Sequence, residues 1–274
     1  MKVHHLNCGS LCPHGQRLLN GHGGWLAPAE LCCHCLLLET RHGLVLVDAG
    51  FGLQDIRHPH RLGAAFRWVS QPLLQENETA MRQIEAMGFE HRDVRHIVLT
   101  HLDLDHAGGM ADFPQALVHI HRPELQAAYQ PATLQERGRY RAMQWQHVPR
   151  WVIHEEQGET WLGFKGIRAL PGTDDEVLLI PLPGHTRGHC AIAVHSDTGW
   201  LLHAGDAYFF HGEIEQPAHC PAGLKVLQNL LQFNGQQRRH NQTRLQQLAQ
   251  QHRSDLKIFC AHDPLEWQQL SRPD

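Results

Sequence analysis

Short apolar runs separated by polar, glycine-containing turns dominate this chain, and they predict a fold rich in β-strands. Runs compatible with strands lie at residues 2–7, 33–39, 44–48, 97–99, 116–120, 151–154, 160–164, 166–170, 176–180, 189–195, 199–204 and 256–260. Apolar residues recur with helical spacing at residues 78–87, 123–129, 224–231 and 237–252. Because strands come in runs, with helices between and after them, the pattern predicts a mixed α/β fold built in layers.

Two segments depart from this pattern and are candidates for a cap or an insertion. Residues 53–75 contain prolines and scattered aromatics such as Phe66 and Trp68, and residues 130–150 are rich in Gln and Arg. Residues 53–75 could form a cap or substrate-side loop, or an ordinary surface excursion. Residues 130–150 form an insertion that could be helical and could line the pocket, and the sequence leaves these interpretations open. Since a chain of 274 residues is compatible with one layered α/β unit, we predict a single domain over residues 1–274.

The densest chemical signal lies directly after the apolar run 97–99. Four side chains that can bind a metal ion fall within six residues there, namely His101, Asp103, Asp105 and His106. A buried strand that ends in a tight loop is a usual place for a site held by a rigid scaffold. Imidazole and carboxylate together suit Zn²⁺, Mn²⁺ or Fe²⁺ better than Ca²⁺ or Mg²⁺. A solvated polar loop is the alternative interpretation.

Three later segments repeat the arrangement of an apolar strand followed by a loop with a candidate ligand. His185 lies in the Pro-Gly turn after one strand, Asp206 follows the next, and His262 follows the last one. Each alone is more typical of a hydrogen-bonded structural residue than of a metal ligand. Four such strand ends in one chain indicate a metal site at the edge of a sheet.

The composition limits the classes of function. Lys and Arg total 24 and Asp and Glu total 28, a net charge of −4 with histidine neutral, and no basic stripe indicates a nucleic-acid partner. The 25 histidines outnumber Lys and Arg together, so a single histidine carries little information without its setting. No apolar run approaches about 18 residues and no secretory signal is visible, so we expect no membrane span and a cytoplasmic protein.

Eight cysteines are present, and five of them lie in the first 35 residues. In a chain without an export signal, cysteines are expected to be thiols rather than disulfides. The paired C-x-x-C spacing of zinc sites is missing, although a separate structural zinc ion in this region is left open. Buried or reactive thiols are the favoured interpretation.

With these residues in place, the chain resembles the metallo-β-lactamase-fold hydrolase superfamily, most closely its lactonase and small-ester branch. The resemblance runs in order from the Asp48-Ala49-Gly50 turn through the 101–106 motif to His262. It implies a four-layer αββα sandwich with two divalent metal ions, zinc above all, at one edge. Carried over by position, one metal ion takes His101, Asp103 and His185, the other takes Asp105, His106 and His262, and Asp206 bridges the two.

The chain departs from the superfamily at position 103, where the usual histidine is Asp103 and the motif reads H-x-D-x-D-H. Carboxylate also binds Zn²⁺, Mn²⁺ and Fe²⁺, so the number of ligands is kept, but the first subsite becomes more negative. Our hypothesis is that Asp103 shifts the preference toward Mn²⁺ or Fe²⁺, or weakens this subsite until only one ion is held. Unchanged metal identity and content in Asp103→His would contradict it.

The resemblance implies a hydrolase in which a metal-bound hydroxide attacks the carbonyl of a small substrate, while Asp105 passes on the proton. The spacing 185 − 106 = 79 is similar to that of lactone and ester hydrolases, acyl-homoserine lactonases included. Those lactonases carry a tyrosine after the bridging aspartate, so Tyr208 is a candidate for stabilising the oxyanion. The chain has no G-x-S-x-G sequence that would indicate a serine nucleophile.

Three alternatives within the same fold stay open. A thioester hydrolase acting on glutathione conjugates would need a basic C-terminal patch, for which Arg238 and Arg239 are weak candidates. A di-iron redox protein would suit the carboxylate-rich first subsite, and a metal-binding protein without turnover would follow if Asp103 has damaged that subsite. As partners we predict a small-molecule substrate, no nucleic acid and no membrane. Exposed apolar residues such as Phe66 and Trp68 could serve a homodimer or an acyl chain equally well.

Three neighbours of the candidate ligands are assigned supporting roles. Asp48 is expected to accept a hydrogen bond from a ligand imidazole and so to fix its tautomer. His189 is expected to form hydrogen bonds within the core or beside the ligands. His203 is expected to serve in packing.

Overall fold

Two six-stranded sheets form the centre of the protein in the computed structural model, which describes residues 1–148, 150–155, 158–170 and 176–272. The first sheet contains, in spatial order, β1 (Lys2–Leu11), β2 (Leu31–Thr40), β3 (Gly43–Val47), β4 (Val94–Val98), β5 (Leu117–His121) and β6 (Trp151–His154). The second contains β7 (Glu159–Trp161), β8 (Phe164–Arg168), β9 (Val177–Pro181), β10 (Cys190–Ser196), β11 (Gly199–His203) and β12 (Leu256–Phe259). The first sheet is antiparallel from β1 to β3 and parallel from β3 to β6. In the second sheet the β11–β12 pair is parallel and the others are antiparallel.

The helices connect and cover these sheets. They are α1 (Gln16–Leu19), α2 (Leu53–Arg57), α3 (Ala64–Ser70), α4 (Ala80–Ala86), α5 (Leu104–Ala107), α6 (Arg122–Tyr129), α7 (Leu134–Arg139), α8 (Ala222–Leu231), α9 (Gly235–Gln251) and α10 (Pro264–Leu270). Single 3₁₀ turns lie at Pro59–Leu62, Glu76–Glu78, His91–Asp93, Gly108–Asp112, Ala142–Gln144 and His211–Glu213. None of the helices in the described ranges is both long and apolar enough to cross a bilayer.

The alternation of side chains along β2 shows how the first two layers pack. Leu36 and Leu38 are buried against Leu179 of the second sheet. Leu37, which points to the opposite face, is buried in the same cluster as Ile84 of α4. Because both faces of the strand are covered, residues 31–38 are all buried and, apart from His34, apolar, rather than alternating between apolar and polar.

The second sheet is covered in the same way on its outer face. Leu178 and Ile180 of β9 pack in one cluster with Leu245 and Leu248 of α9, whereas Leu179 lies between the sheets. The order of layers is therefore helix, sheet, sheet, helix. The predicted four-layer αββα sandwich is confirmed.

The largest difference from the predicted strands lies in the β7–β8 hairpin. The sequence pattern placed one strand at 160–164 and the next at 166–170, but the chain turns at Leu162 and Gly163, which have φ angles of 45° and 80°. The first of these predicted strands is therefore wrong in its boundaries. A left-handed leucine is uncommon, and nothing in the sequence pattern marks it.

The two irregular segments contain short helices, which the sequence left open for residues 130–150 and did not predict for residues 53–75. Residues 53–75 include α2 and α3, and residues 130–150 include α7, with position 149 outside the described residues. The C-terminal α10 was not predicted either. Its N-cap residue is Asp263, whose Oδ1 accepts a hydrogen bond from the Leu265 amide at 2.8 Å.

Candidate metal centre

The candidate ligands meet at one edge of the sandwich, where loops from both sheets converge. The first sheet contributes residues 101–106, which follow β4 and include the single turn of α5. The second sheet contributes His185 between β9 and β10, Asp206 after β11 and His262 after β12. Side chains from two layers therefore build one site.

The first group of candidate ligand atoms belongs to His101, Asp103, His185 and Asp206. Asp103 Oδ2 lies 3.3 Å from His101 Nε2 and 3.0 Å from His185 Nε2. Asp206 Oδ2 lies 3.8 Å from His101 Nε2 and 3.3 Å from His185 Nε2. In a tetrahedral site with metal bonds of about 2.0 Å, ligand atoms are about 3.3 Å apart. These four side chains therefore fit one metal ion.

The second group shares Asp206 with the first. His106 Nε2 and His262 Nε2 each lie 3.2 Å from Asp206 Oδ1, and Asp105 Oδ2 lies 3.6 Å from His262 Nε2. Cys33 Sγ is a further candidate ligand atom beside Asp105 and His262, which sequence reasoning did not single out. One oxygen of Asp206 faces each subsite, as expected of a bridging carboxylate.

Buried polar atoms without a hydrogen-bond partner also indicate a metal centre. His101 Nε2, His106 Nε2 and Asp206 Oδ1 are buried and have no hydrogen-bond partner among the described residues. Buried polar atoms normally find a partner, and a metal ion would complete all three. The residues present therefore fit a pair of divalent metal ions.

Asp48 holds Thr100 and His106 in place through hydrogen bonds. Its carboxylate accepts hydrogen bonds from the Thr100 amide at 2.8 Å, from Thr100 Oγ1 at 2.7 Å and from His106 Nδ1 at 2.8 Å. Burial opposes ionisation of Asp48, but the neighbouring His106 outweighs it and holds the pKa of Asp48 below its ordinary value. The predicted hydrogen bond to a candidate ligand imidazole is present, and it directs His106 Nε2 toward the second subsite.

The other two neighbours also lie where they were expected. His189 Nδ1 donates to the Leu182 carbonyl at 3.1 Å, and its Nε2 accepts from the Asp206 amide at 2.9 Å. His203 Nε2 donates to the His34 carbonyl at 2.6 Å. Both imidazoles therefore brace the backbone near the site rather than contribute to either group of ligand atoms. The eight cysteines are free thiols, and among the described residues those near the N-terminus form no metal site of their own.

A cavity of ≈ 760 Å³ adjoins the candidate ligands. Asp103, Asp105, His185, Asp206 and His262 take part in its lining. Most of the other lining side chains are apolar, with examples at Leu31, Leu62, Phe66, Phe209 and Leu227. The segments 53–75 and 130–150 both contribute, so each covers the pocket rather than forming a separate surface excursion.

Comparison with known proteins agrees with this geometry. The Metallo-beta-lactamase superfamily profile matches residues 30–258. The chain belongs to this superfamily. A probable metallo-hydrolase of Mycobacterium tuberculosis is 46% identical over 272 residues, which cover 99% of this chain and 83% of the relative. The chain is thus a metallo-hydrolase of the superfamily.

More distant relatives have named substrates. The N-acyl homoserine lactonase AttM of Azorhizobium caulinodans is 25% identical over 273 residues, covering 97% of this chain and 95% of the relative. A solved N-acyl homoserine lactone hydrolase with the product N-hexanoyl-L-homoserine at its catalytic metal centre has a TM-score of 0.69 and 23% identity. That match covers 98% of this chain and 95% of the other, and it shows the same fold.

Tyr208 does not lie where the superfamily resemblance placed it. Its side chain is fully buried, its hydroxyl donates to Glu266 Oε1 at 2.9 Å, and the neighbouring Phe209 lines the cavity instead. The expected contact of the Tyr208 hydroxyl with an oxyanion is therefore not supported by this geometry. Successive residues of the loop point in different directions, so Phe209 faces the cavity and Tyr208 faces Glu266.

We expect Tyr208→Phe to leave kcat unchanged within about twofold and to lower the free energy of unfolding by about 1 kcal/mol, because one buried hydrogen bond is lost. Glu266 keeps its hydrogen bond from the Cys260 amide at 2.8 Å. Steady-state kinetics and thermal unfolding of the same preparation test this. A fall in kcat of tenfold or more would show that the Tyr208 hydroxyl takes part in the reaction.

Glu124 was missed by sequence reasoning, although it connects three parts of the site. Its Oε1 accepts from the Leu102 amide at 3.0 Å and from Tyr140 Oη at 3.0 Å. Its Oε2 accepts from Thr186 Oγ1 at 2.7 Å and from the Gly188 amide at 3.1 Å. This fully buried carboxylate joins the 101–106 loop, the loop of His185 and the segment after α7. The only sequence signal was an acidic residue in the first turn of a predicted helix.

Proposed function

We propose that this chain hydrolyses lactones or carboxylic esters with apolar acyl groups, an acyl-homoserine lactone being the leading example, and that it uses two divalent metal ions, preferably Zn²⁺. The observation that carries the proposal is the presence of the candidate metal ligands in the lining of a mostly apolar cavity. The lactonase relatives support the same substrate class. Mn²⁺ and Fe²⁺ stay alternatives because Asp103 adds a carboxylate to the first subsite.

The residues of the chain divide the work between holding the metal ions, moving a proton and binding the acyl group. Bound metal ions polarise a carbonyl oxygen and make water a better nucleophile near neutral pH. We assign the proton transfer to Asp105, because its carboxylate lines the cavity and a carboxylate can pass a proton to the leaving alkoxide. Phe66 and Leu227 offer apolar surface to the acyl chain.

A thioester hydrolase is the second candidate, and one observation argues against it. Arg238, half of the weak basic patch, is buried, and its Nη1 donates to Gln228 Oε1 at 2.7 Å. It is therefore engaged within the fold and is not part of a free basic surface. A small-molecule partner, a cytoplasmic location and a homodimer stay predictions. Trp68 is 78% exposed, whereas Phe66 packs near Phe51 and lines the cavity.

The test is elemental analysis of protein purified without added metal, with hydrolysis measured on the same sample against lactones, aryl esters and a glutathione thioester. We expect about two metal ions per chain and turnover that a chelator removes. Paired butanoyl and decanoyl homoserine lactones should differ by about tenfold or more in kcat/KM in favour of the longer chain, because each buried methylene contributes about 0.8 kcal/mol.

Three outcomes would contradict the proposal. Fastest turnover of the thioester would favour the second candidate. No turnover after addition of Zn²⁺, Mn²⁺ or Fe²⁺ would indicate a metal-binding protein without hydrolytic activity. An optical band from bound iron, without hydrolysis, would indicate a di-iron redox protein.

A further inference from the structure

We propose that Arg139 is a positioning residue for Asp103, and that it supplies the positive charge that the aspartate at position 103 removes from the first metal subsite. The inference rests on the proposed metal centre. Asp103 and Arg139 would then act as one coupled pair in place of the single neutral histidine usual in the superfamily.

The contacts of the guanidinium group place it against the first subsite. Arg139 Nη1 lies 2.9 Å from Asp103 Oδ2 and 2.9 Å from His185 Nε2, and these two atoms are 3.0 Å apart. The side chains of Arg139 and Asp103 are 10% and 18% exposed. The pair is therefore a part-buried ion pair that includes a candidate ligand oxygen. Because an imidazole nitrogen has one lone pair, a metal ion bound to His185 Nε2 would replace the Arg139 contact there and leave the Arg139 contact with Asp103.

The guanidinium is fixed from its other side as well. Arg139 Nη2 donates to the Leu231 carbonyl at the end of α8. Gln135, which lies with Arg139 on α7, donates to the same carbonyl at 2.9 Å. Arg187 Nη2 holds Glu136 of α7 through two contacts of 2.8 and 2.7 Å. Since α7 is anchored to two neighbouring segments, the position of Arg139 beside the subsite is fixed by these contacts.

Charge then predicts an order of metal affinity. Arg139→Gln makes the subsite more negative by one unit than wild type, Asp103→His makes it more positive by one unit, and the double variant returns it to the wild-type charge. Divalent cations bind more tightly where the surrounding charge is more negative. The affinity of the first subsite for Zn²⁺ should therefore be highest in Arg139→Gln, intermediate and similar in wild type and the double variant, and lowest in Asp103→His. This order is opposite to the weakening by Asp103 that the sequence alone led us to expect.

The experiment measures Zn²⁺ affinity of the full chain by competition with a fluorescent chelator, without any substrate. We expect Arg139→Gln to bind the more weakly held Zn²⁺ about tenfold more tightly and Asp103→His about tenfold more weakly than wild type. The double variant should agree with wild type within about threefold. Arg137→Gln is the matched control, because it removes the same charge from an exposed position of α7 and should leave both affinities unchanged.

A second variant separates charge from folding defects. Arg139→Lys keeps the positive charge but loses the planar fork, so it should keep the wild-type affinity for Zn²⁺ within about threefold. An affinity like that of Arg139→Gln would overturn the charge assignment. Identical affinities of Asp103→His and the double variant would also overturn it, since Asp103 would then act alone. Absence of hydrolysis with the predicted order intact would refute the proposed function and leave the pair standing.

Discussion

Asp206→Ala should lose most of its bound metal and lower kcat/KM on the best substrate by about 10³-fold or more. Asp206 is the only described carboxylate with one oxygen near each subsite, at 3.3 Å from His185 Nε2 on one side and 3.2 Å from His106 Nε2 on the other. Metal ions supply several kcal/mol of transition-state stabilisation, and each 1.36 kcal/mol corresponds to a factor of ten. Elemental analysis and steady-state kinetics on one preparation measure both effects.

The matched control for this experiment is Asp255→Ala, which removes an exposed carboxylate just before β12 and should leave metal content and kcat/KM unchanged. Full metal content and full activity in Asp206→Ala would show that Asp206 does not bridge the two metal subsites. Loss of activity with both metal ions retained would mean that Asp206 acts on the substrate rather than on the metal ions.

Glu124→Ala should be the most destabilising single substitution near the site, lowering the free energy of unfolding by about 4 kcal/mol and the Tm by about 10 °C. The reason is that four donors, among them the Leu102 and Gly188 amides and Thr186 Oγ1, lose their acceptor inside the protein. Each buried donor left without an acceptor costs about 1–3 kcal/mol. Thermal and denaturant unfolding followed by circular dichroism measure the loss.

Two comparisons make this result interpretable. Glu124→Gln keeps one acceptor oxygen but turns amide hydrogens toward other donors, so it should fall between wild type and Glu124→Ala. Glu85→Ala removes an exposed glutamate of α4 that pairs with Arg82 and should cost less than about 1 kcal/mol. A Tm for Glu124→Ala within 2 °C or so of wild type would show that the loops do not depend on this carboxylate.

The sequence revealed the ligand-bearing loops because each follows a buried apolar strand. The 101–106 motif was visible because four candidate ligands lie within one short loop, and His185, Asp206 and His262 repeated its setting after other strands. The layered fold could be predicted for the same reason. Apolar runs such as Leu36-Leu37-Leu38 of β2 require cover on both faces, which an inner layer of a layered α/β fold provides.

Two residues that support the loops, Glu124 and Arg139, could not be found this way. Glu124 contacts residues 22 and 64 positions away in the chain, and Arg139 contacts Asp103 across 36 positions. Such contacts are created by tertiary packing, and no periodicity or spacing marks them. The short helices α2 and α3 were hidden because five and seven residues are too few to establish a helical pattern. The position of the Tyr208 side chain could not be predicted because the direction of a side chain in a loop depends on local backbone angles.

Because the two sheets converge on one edge, metal binding is expected to affect how fast the protein is degraded in the cell. Each subsite takes donors from both layers, so metal ions bound there would tie the layers together much as a disulfide ties two chain segments. A ligand that binds only the folded state stabilises it by about 2.7 kcal/mol when present at 100 times its Kd. Chains made under metal starvation would therefore open more often and be degraded faster, so that metal supply sets the abundance of the protein as well as its activity.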